Sequence, residues 1–426
     1  MSLESPHIKN LKESATLAIN ELCISMQLSG KQVFKLGLGQ SPFPVPERII
    51  EELRSHADEK DYLPVAGLTE LRTAIADHYK NKKDISVNAE RVLIGPGSKE
   101  LLFLLQLIYQ STVILPTPCW VSYGPQANLA KRPVKTINTT FANGWMMQAE
   151  QLEKLCATLP TEEPKLLILN YPGNPTSTSY PSSLLKEIAK VCKQNNIIVL
   201  CDEIYADLSY LNKYTSMASV YPEGTIISSG ISKWAGAGGW RLGYMIFPKQ
   251  LELLFKTMCA TASETYTSVC APVQFAAIKA MQGGSDIQKY LKASRFILKQ
   301  LGERCSSILR NAGIKLYDPT AGFYLWIDFS DIYHCRKRFK TSKTLCESLL
   351  SETGVAILPG VEFMRSSEEL TARLALVDFD GSRALGSVSD LMLSDANESW
   401  NIEMFCPRVI RAVEIIANWS NGKPYY

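Results

Sequence analysis

Lys233 and Arg241 stand eight residues apart inside Ser229-Gly-Ile-Ser-Lys-Trp-Ala-Gly-Ala-Gly-Gly-Trp-Arg-Leu-Gly243, a run that holds five glycines. An amine can condense with a carbonyl to give a Schiff base, and a guanidinium can fork onto phosphate. Glycine lets the backbone approach an anion closely. The rival reading is a flexible surface turn whose Lys233 and Arg241 are merely solvated. Upstream, Ile197-Ile-Val-Leu-Cys-Asp202 reads as a buried strand ending in a carboxylate, with Tyr205 three residues on. An aspartate there can pair with a protonated ring nitrogen, and a tyrosine there can hydrogen-bond a phenolic oxygen. A second apolar run, 166–169, leads into Asn170-Tyr-Pro-Gly-Asn-Pro-Thr176. Taken singly, Asp202 could equally be a helix cap and Asn174 a turn former.

These residues need elements that place them together. Short apolar runs at 92–94, 112–115, 166–169, 197–200, 225–228 and 243–247, most bounded by Gly, Pro or Asn, read as strands. Helical stretches at 99–109, 181–194 and 251–258 lie between them, which is the pattern of an α/β unit with a mostly parallel, buried sheet. Strands of such a sheet bind ligands at their C-terminal ends, where Asp202 and Asn170 fall. From about residue 286 the pattern changes to a long charged helix over 288–311, a strand pair near 323–329 and 373–377, and a closing helix over 407–420. The expected organisation is an arm over 1–45 belonging to a small domain, a large domain over 46–285, and a small α+β domain over 286–426. Residues 381–405, rich in Ser, Asp, Asn and Gly, are expected to be a long surface loop.

Composition narrows the partners. The 426 residues carry 45 Lys plus Arg against 42 Asp plus Glu, with 46% hydrophobic side chains. That suits a folded chain of two or three domain-sized units and lacks the basic excess of a nucleic-acid or anionic-membrane protein. Eleven scattered cysteines with no C-x-x-C pair read as free thiols in a reducing compartment. The four histidines stand far apart, so no metal is expected. Residues 1–10 precede no apolar run, and the most apolar stretch, 101–109, is too short to span a bilayer. A cytoplasmic protein with small-molecule ligands is the expectation.

Together these motifs make the chain resemble the class I/II, fold-type I pyridoxal-phosphate aminotransferases from residue 11 to 419, most closely the bacterial-type aspartate aminotransferases. The lysine run 230–243 fits that family's signature at every position compared. The resemblance implies that Lys233 holds pyridoxal 5′-phosphate through its ε-amine and shuttles the substrate proton. Asp202 would keep the pyridine nitrogen protonated, while Tyr205 and Asn174 bond the phenolic oxygen. Gly97, Ser98, Ser232 and Arg241 would hold the phosphate, Ser98 from the first turn of a helix. Trp120, in Pro116-Thr-Pro-Cys-Trp-Val-Ser-Tyr123, matches the ring that stacks on the cofactor. Tyr62 matches the tyrosine that reaches the neighbouring subunit's phosphate, which implies a homodimer. Gly39, in Leu36-Gly-Leu-Gly-Gln40, resembles the glycine that closes over the substrate. Arg373, opening a strand in Thr371-Ala-Arg-Leu-Ala-Leu376, matches the arginine that grips the α-carboxylate, a task for a planar fork. Lys99 would contact the cofactor site and a distal carboxylate.

The chain departs from the family pattern at Ser177, where Asn-Pro-Thr normally continues with glycine, and at Gly230, which often is a phosphate-binding serine. No acidic Gly-Asp pair precedes the strand at 112, and 381–405 is longer than the family's usual segment. The resemblance favours aspartate with 2-oxoglutarate in a ping-pong reaction. An aromatic, prephenate or broad-specificity aminotransferase is the alternative, and a carbon–sulfur β-lyase on the same scaffold a further one. A regulatory protein would need a helix-turn-helix module ahead of Gly39, and the short N-terminal stretch predicts none.

Overall fold

The computed structural model describes residues 11–211, 214–393 and 400–425. Residues 1–10, on which the expectation of no signal peptide rests, lie outside them. In chain order the strands are β1 (Phe34–Lys35), β2 (Val92–Gly95), β3 (Thr112–Thr117), β4 (Val134–Asn138), β5 (Lys165–Asn170), β6 (Ile197–Asp202), β7 (Thr225–Gly230), β8 (Gly243–Ile246), β9 (Tyr324–Asp328), β10 (Val355–Ala356), β11 (Leu358–Pro359) and β12 (Thr371–Ala375). The six apolar runs read from the sequence are β2, β3, β5, β6, β7 and β8, their ends moved by at most two residues. With β4 they form a seven-stranded sheet in the order β2-β8-β7-β6-β5-β3-β4. Only β8 runs antiparallel to its neighbours.

The continuous apolar runs follow from burial on both faces. Leu167, Leu169, Val199 and Cys201 pack on one side with helix Ser182–Gln194. Leu166, Ile168 and Leu200, their neighbours along the same strands, pack on the other side with helix Ser98–Ile108. Successive side chains of a strand point to opposite faces, so every residue of a doubly covered strand must be apolar. The edge strand β4 was not legible for the converse reason: of its five residues only Ile137 is buried. All eleven cysteines are free, nine of them buried.

A second, three-stranded antiparallel sheet has the order β11-β12-β9. Arg373 does not open β12, as expected, but occupies its third position, opposite Trp326 of β9 and Leu358 of β11. The arm reaches this sheet through β1, which pairs in parallel with β10 and continues into backbone bonds from Leu36 N–H to Ala356 O and from Ala375 N–H to Leu36 O. Residues 37–40 are thereby laid between the two larger sheets.

The expected loop over 381–405 is corrected. Residues Gly381–Leu393 form a helix, with Ile402–Phe405 a further short one; 394–399 lie outside the described residues. Ala384 and Val388, one turn apart, are fully buried in the core that contains helix Ser285–Asn311. The Asp380 carboxylate accepts a bond from Arg383 N–H at 3.0 Å, and Trp400 Nε1 donates to Ser387 Oγ at 2.9 Å. Ala384 and Val388, with half-buried Leu385 beside them, seat on that core a helix that abundant Ser and Gly disguise in the sequence.

Candidate active site

The parallel strands deliver their C-terminal ends to one edge. Asn170 and Asp202 end β5 and β6 and stand in register with Ser228, two residues short of the end of β7. Asp202 is buried; its carboxylate accepts from Tyr123 Oη at 2.7 Å and from Ile204 N–H at 3.3 Å. Asn170 Nδ2 donates to the Asp202 carbonyl at 2.9 Å. Desolvation pushes the Asp202 carboxyl up to about 6, against the two bonds that favour its charged form.

Where β2 ends, Gly97 turns with φ +85° into helix Ser98–Ile108. The Gly97 conformation is left-handed, and a Cβ there would lie 2.3 Å from Arg241 Nη2. Arg241 reaches across this turn, donating to Pro96 O at 3.3 Å and Gly238 O at 2.9 Å. A guanidinium beside the free N–H groups of a helix's first turn is an anion-binding arrangement.

Two further cations meet the arm. Lys233 Nζ donates to Gly39 O at 2.6 Å. Burial, with Arg373 and Arg241 nearby, holds its pKa below the usual lysine range. Arg373 is fully buried on β12, where a cation needs partners for its donors. Its Nη1 donates to Asn174 Oδ1 at 2.9 Å and its Nη2 to Gly37 O. Lys99, in the first turn of the helix after Gly97, is exposed and places Nζ 5.2 Å over the Trp120 ring. Burial of its amine, then Arg241 and Lys233, lower its pKa.

A cavity of about 530 Å³ brings together Gly39, Ser98, Lys99, Trp120, Asn174, Asp202, Tyr205, Ser232, Lys233, Arg241 and Arg373. Four basic side chains face one carboxylate there, which suits a doubly anionic ligand. Gly97 lies directly beneath Arg241. Tyr62 is the exception: it is 89% exposed and lies outside the cavity of its own chain. Sequence reading missed Tyr123, which bonds Asp202, and Tyr324, whose hydroxyl lies 2.9 Å from that of Tyr205. It also missed Thr16 and Leu17 at the cavity wall. Tyr123 ends the quoted Trp120 motif, a signal that was available; Tyr324 depends on which sheet edge faces which.

The family model for aminotransferase class I and II matches residues 31–374. The chain belongs to the class I and II aminotransferases. It is 31% identical over 366 residues to the aspartate aminotransferase of Bacillus sp. (strain YM-2), covering 84% of this chain and 91% of that protein. It is 29% identical to the aspartate/prephenate aminotransferase of Thermus thermophilus, over the same shares of the two chains. The solved Thermus thermophilus aspartate aminotransferase with maleate superposes with a TM-score of 0.82 at 27% identity, over 92% of this chain and all of that one. The fold is accordingly fold-type I, and the protein is a pyridoxal-phosphate-dependent enzyme. The residues present fit that cofactor: an amine inside the cavity, a buried carboxylate for a ring nitrogen, and a glycine turn that a Cβ would block.

The Asp202 environment generates a prediction for the protein without cofactor. A carboxyl at about 6 when folded and at its ordinary 3.8 when unfolded binds its proton more tightly in the native state. Its contribution to stability is complete below the unfolded value and is lost as pH rises through 6. Relative to wild type, Asp202→Asn should therefore gain about 2 kcal/mol between pH 4 and pH 7. Denaturant midpoints at the two pH values measure this; a difference independent of pH would contradict it.

Proposed function

We propose that this aminotransferase takes aspartate as amino donor and 2-oxoglutarate as acceptor, in a ping-pong reaction. The observation that carries the reading is the pairing of Arg373 and Lys99 as lining cations of one cavity, one for each carboxylate of a dicarboxylic substrate. The names of the relatives agree, and maleate, held by the solved Thermus enzyme, is itself a four-carbon dicarboxylate.

When bound, pyridoxal phosphate supplies the electron sink that makes a substrate Cα–H acidic. Lys233 would hold it through its ε-amine and move the proton at the substrate Cα, with a pKa that burial lowers. Asp202 is the ionised partner of a ring N–H; a cation beside it favours its carboxylate form. Tyr205 and Asn174 bond the phenolic oxygen, and Trp120 supplies a face for the ring. Ser98, Ser232 and Arg241 would hold the phosphate. Arg373 exchanges its bond to Gly37 O for the α-carboxylate, while Gly39 and the arm exclude water. Prephenate as a further acceptor is favoured by the relatives named for it and by the apolar lining that Leu17 and Trp120 add.

The exposure of Tyr62 supports a homodimer in which this ring completes the partner's phosphate site. The account predicts that Lys99→Met, which keeps bulk and removes charge, lowers kcat/KM for aspartate by about 10- to 100-fold and leaves alanine and phenylalanine little changed. An equal loss for all three, measured in single half-reactions, would move Lys99 to the cofactor's field and remove the aspartate assignment. For assembly, a Tyr62→Phe chain co-refolded with a Lys233→Ala chain should exceed the summed activity of the two separately, since one site of the mixed dimer is then intact. Activity equal to that sum would place Tyr62 outside the site.

A further inference from the structure

Tyr324 is used by nothing described so far, yet it is the residue against which Tyr205 rests. It opens β9, is 1% exposed, and puts its hydroxyl 2.9 Å from that of Tyr205. On its other side the same hydroxyl is pressed against Gly39, where a Cβ would lie only 1.8 Å from it. Gly39 is thus required by Tyr324, and Tyr324 in turn is held at its backbone: Tyr324 N–H donates to Ser177 Oγ at 3.2 Å. Ser177 stands at φ +52°, a left-handed conformation that a glycine would adopt without strain. Its side chain gives a return that glycine could not, since it ties the loop after β5 to the start of β9.

The direction of the hydroxyl pair follows from the charge around it. The Arg373 guanidinium lies over the Tyr324 ring, 4.5 Å from its centroid, where it withdraws electron density and makes that phenol the better donor. Lys233 Nζ is more distant from the Tyr205 ring, at 5.9 Å. A hydroxyl has one proton to give. If Tyr324 donates to Tyr205, the Tyr205 proton is released to point elsewhere, and accepting a bond makes Tyr205 a stronger donor in turn.

We infer that Tyr324 is a positioning residue, which fixes Tyr205 as a donor toward the phenolic oxygen of the bound cofactor through a Ser177–Tyr324–Tyr205 chain. The inference rests on the assignment of Tyr205 to that oxygen. The charged and titratable groups that face the pair are Arg373 from β12, Asp202 from β6 and Lys233 from the loop after β7. The Tyr324 hydroxyl also acts on the field at Lys233 and Arg373, so the double variant with Tyr205, not the single variant, separates the two routes.

The test uses the cofactor-loaded protein and its visible absorbance as a function of pH. A donor to the phenolic oxygen stabilises that oxygen's charge, so weakening the donor moves the midpoint of the chromophore's titration upward. Tyr324→Phe should raise the midpoint by about 0.5 to 1 pH unit, the size of one hydrogen bond. Tyr205→Phe should raise it as well, and the double variant should sit at the midpoint of Tyr205→Phe alone. Ser177→Gly should give a smaller shift of the same sign. A Tyr324→Phe shift that persists in full in the Tyr205→Phe background, or a midpoint unmoved by Tyr324→Phe and Ser177→Gly alike, would overturn the inference and leave Tyr324 a packing residue. A wild type that develops no visible band with pyridoxal phosphate would instead refute the cofactor assignment on which the pair's role depends.

Discussion

Lys233 must keep a reactive amine and Arg373 a guanidinium inside a site that largely excludes water, and an unpaired cation in such a place costs several kcal/mol. The structure meets this demand with the backbone of the arm. Gly39 O accepts from Lys233, and Gly37 O from Arg373. Each carbonyl takes one donor of its cation without neutralising the charge, so the cavity keeps its attraction for anions. They can also be given up when a better acceptor arrives, as a carboxylate would be. The pairing of β1 with β10 and the bonds of Leu36 to Ala356 and Ala375 exist, on this account, to hold two carbonyls in place.

Everything else at the site is delivered by strand ends. A doubly covered parallel sheet sets Asn170, Asp202 and Ser228 in one row, because adjacent parallel strands pair in register. The antiparallel β8 carries the chain back from the lysine loop and brings Gly243 beside Gly95, so that Arg241 and the Gly97 turn meet. The three-stranded sheet adds only Arg373 and Tyr324, but these are the residues that touch the arm and Tyr205. Residues from 39 to 373 thus reach one cavity through very few elements.

The large sheet was legible because burial on both faces leaves strands such as Leu166–Leu169 no polar position to confuse the pattern. Its edge strand β4, with four of five residues in contact with solvent, offered no such signal. The helix at Gly381–Leu393 was hidden by its Ser and Gly content, although Ala384 and Val388 on one face are buried. Of the site, the lysine loop, Asp202 and Asn174 carried their own motif. Tyr324 did not: nothing in Gly322-Phe-Tyr-Leu says that this ring will lie against Gly39, nearly three hundred residues earlier in the chain. Arg373 was legible as a residue but not in its surroundings, for its burial among Tyr324, Asn174 and Gly37 is made by tertiary packing.

The central claim is that Lys233, and no other lysine, offers the cofactor its amine. Saturation of the protein with pyridoxal phosphate, reduction with borohydride and mass mapping of the digest test it most directly. The account predicts one pyridoxyl group per chain, confined to the peptide that contains Lys233 and lost in Lys233→Ala. A label on Lys99 instead, or spread over exposed lysines with Lys233 unmodified, would contradict it.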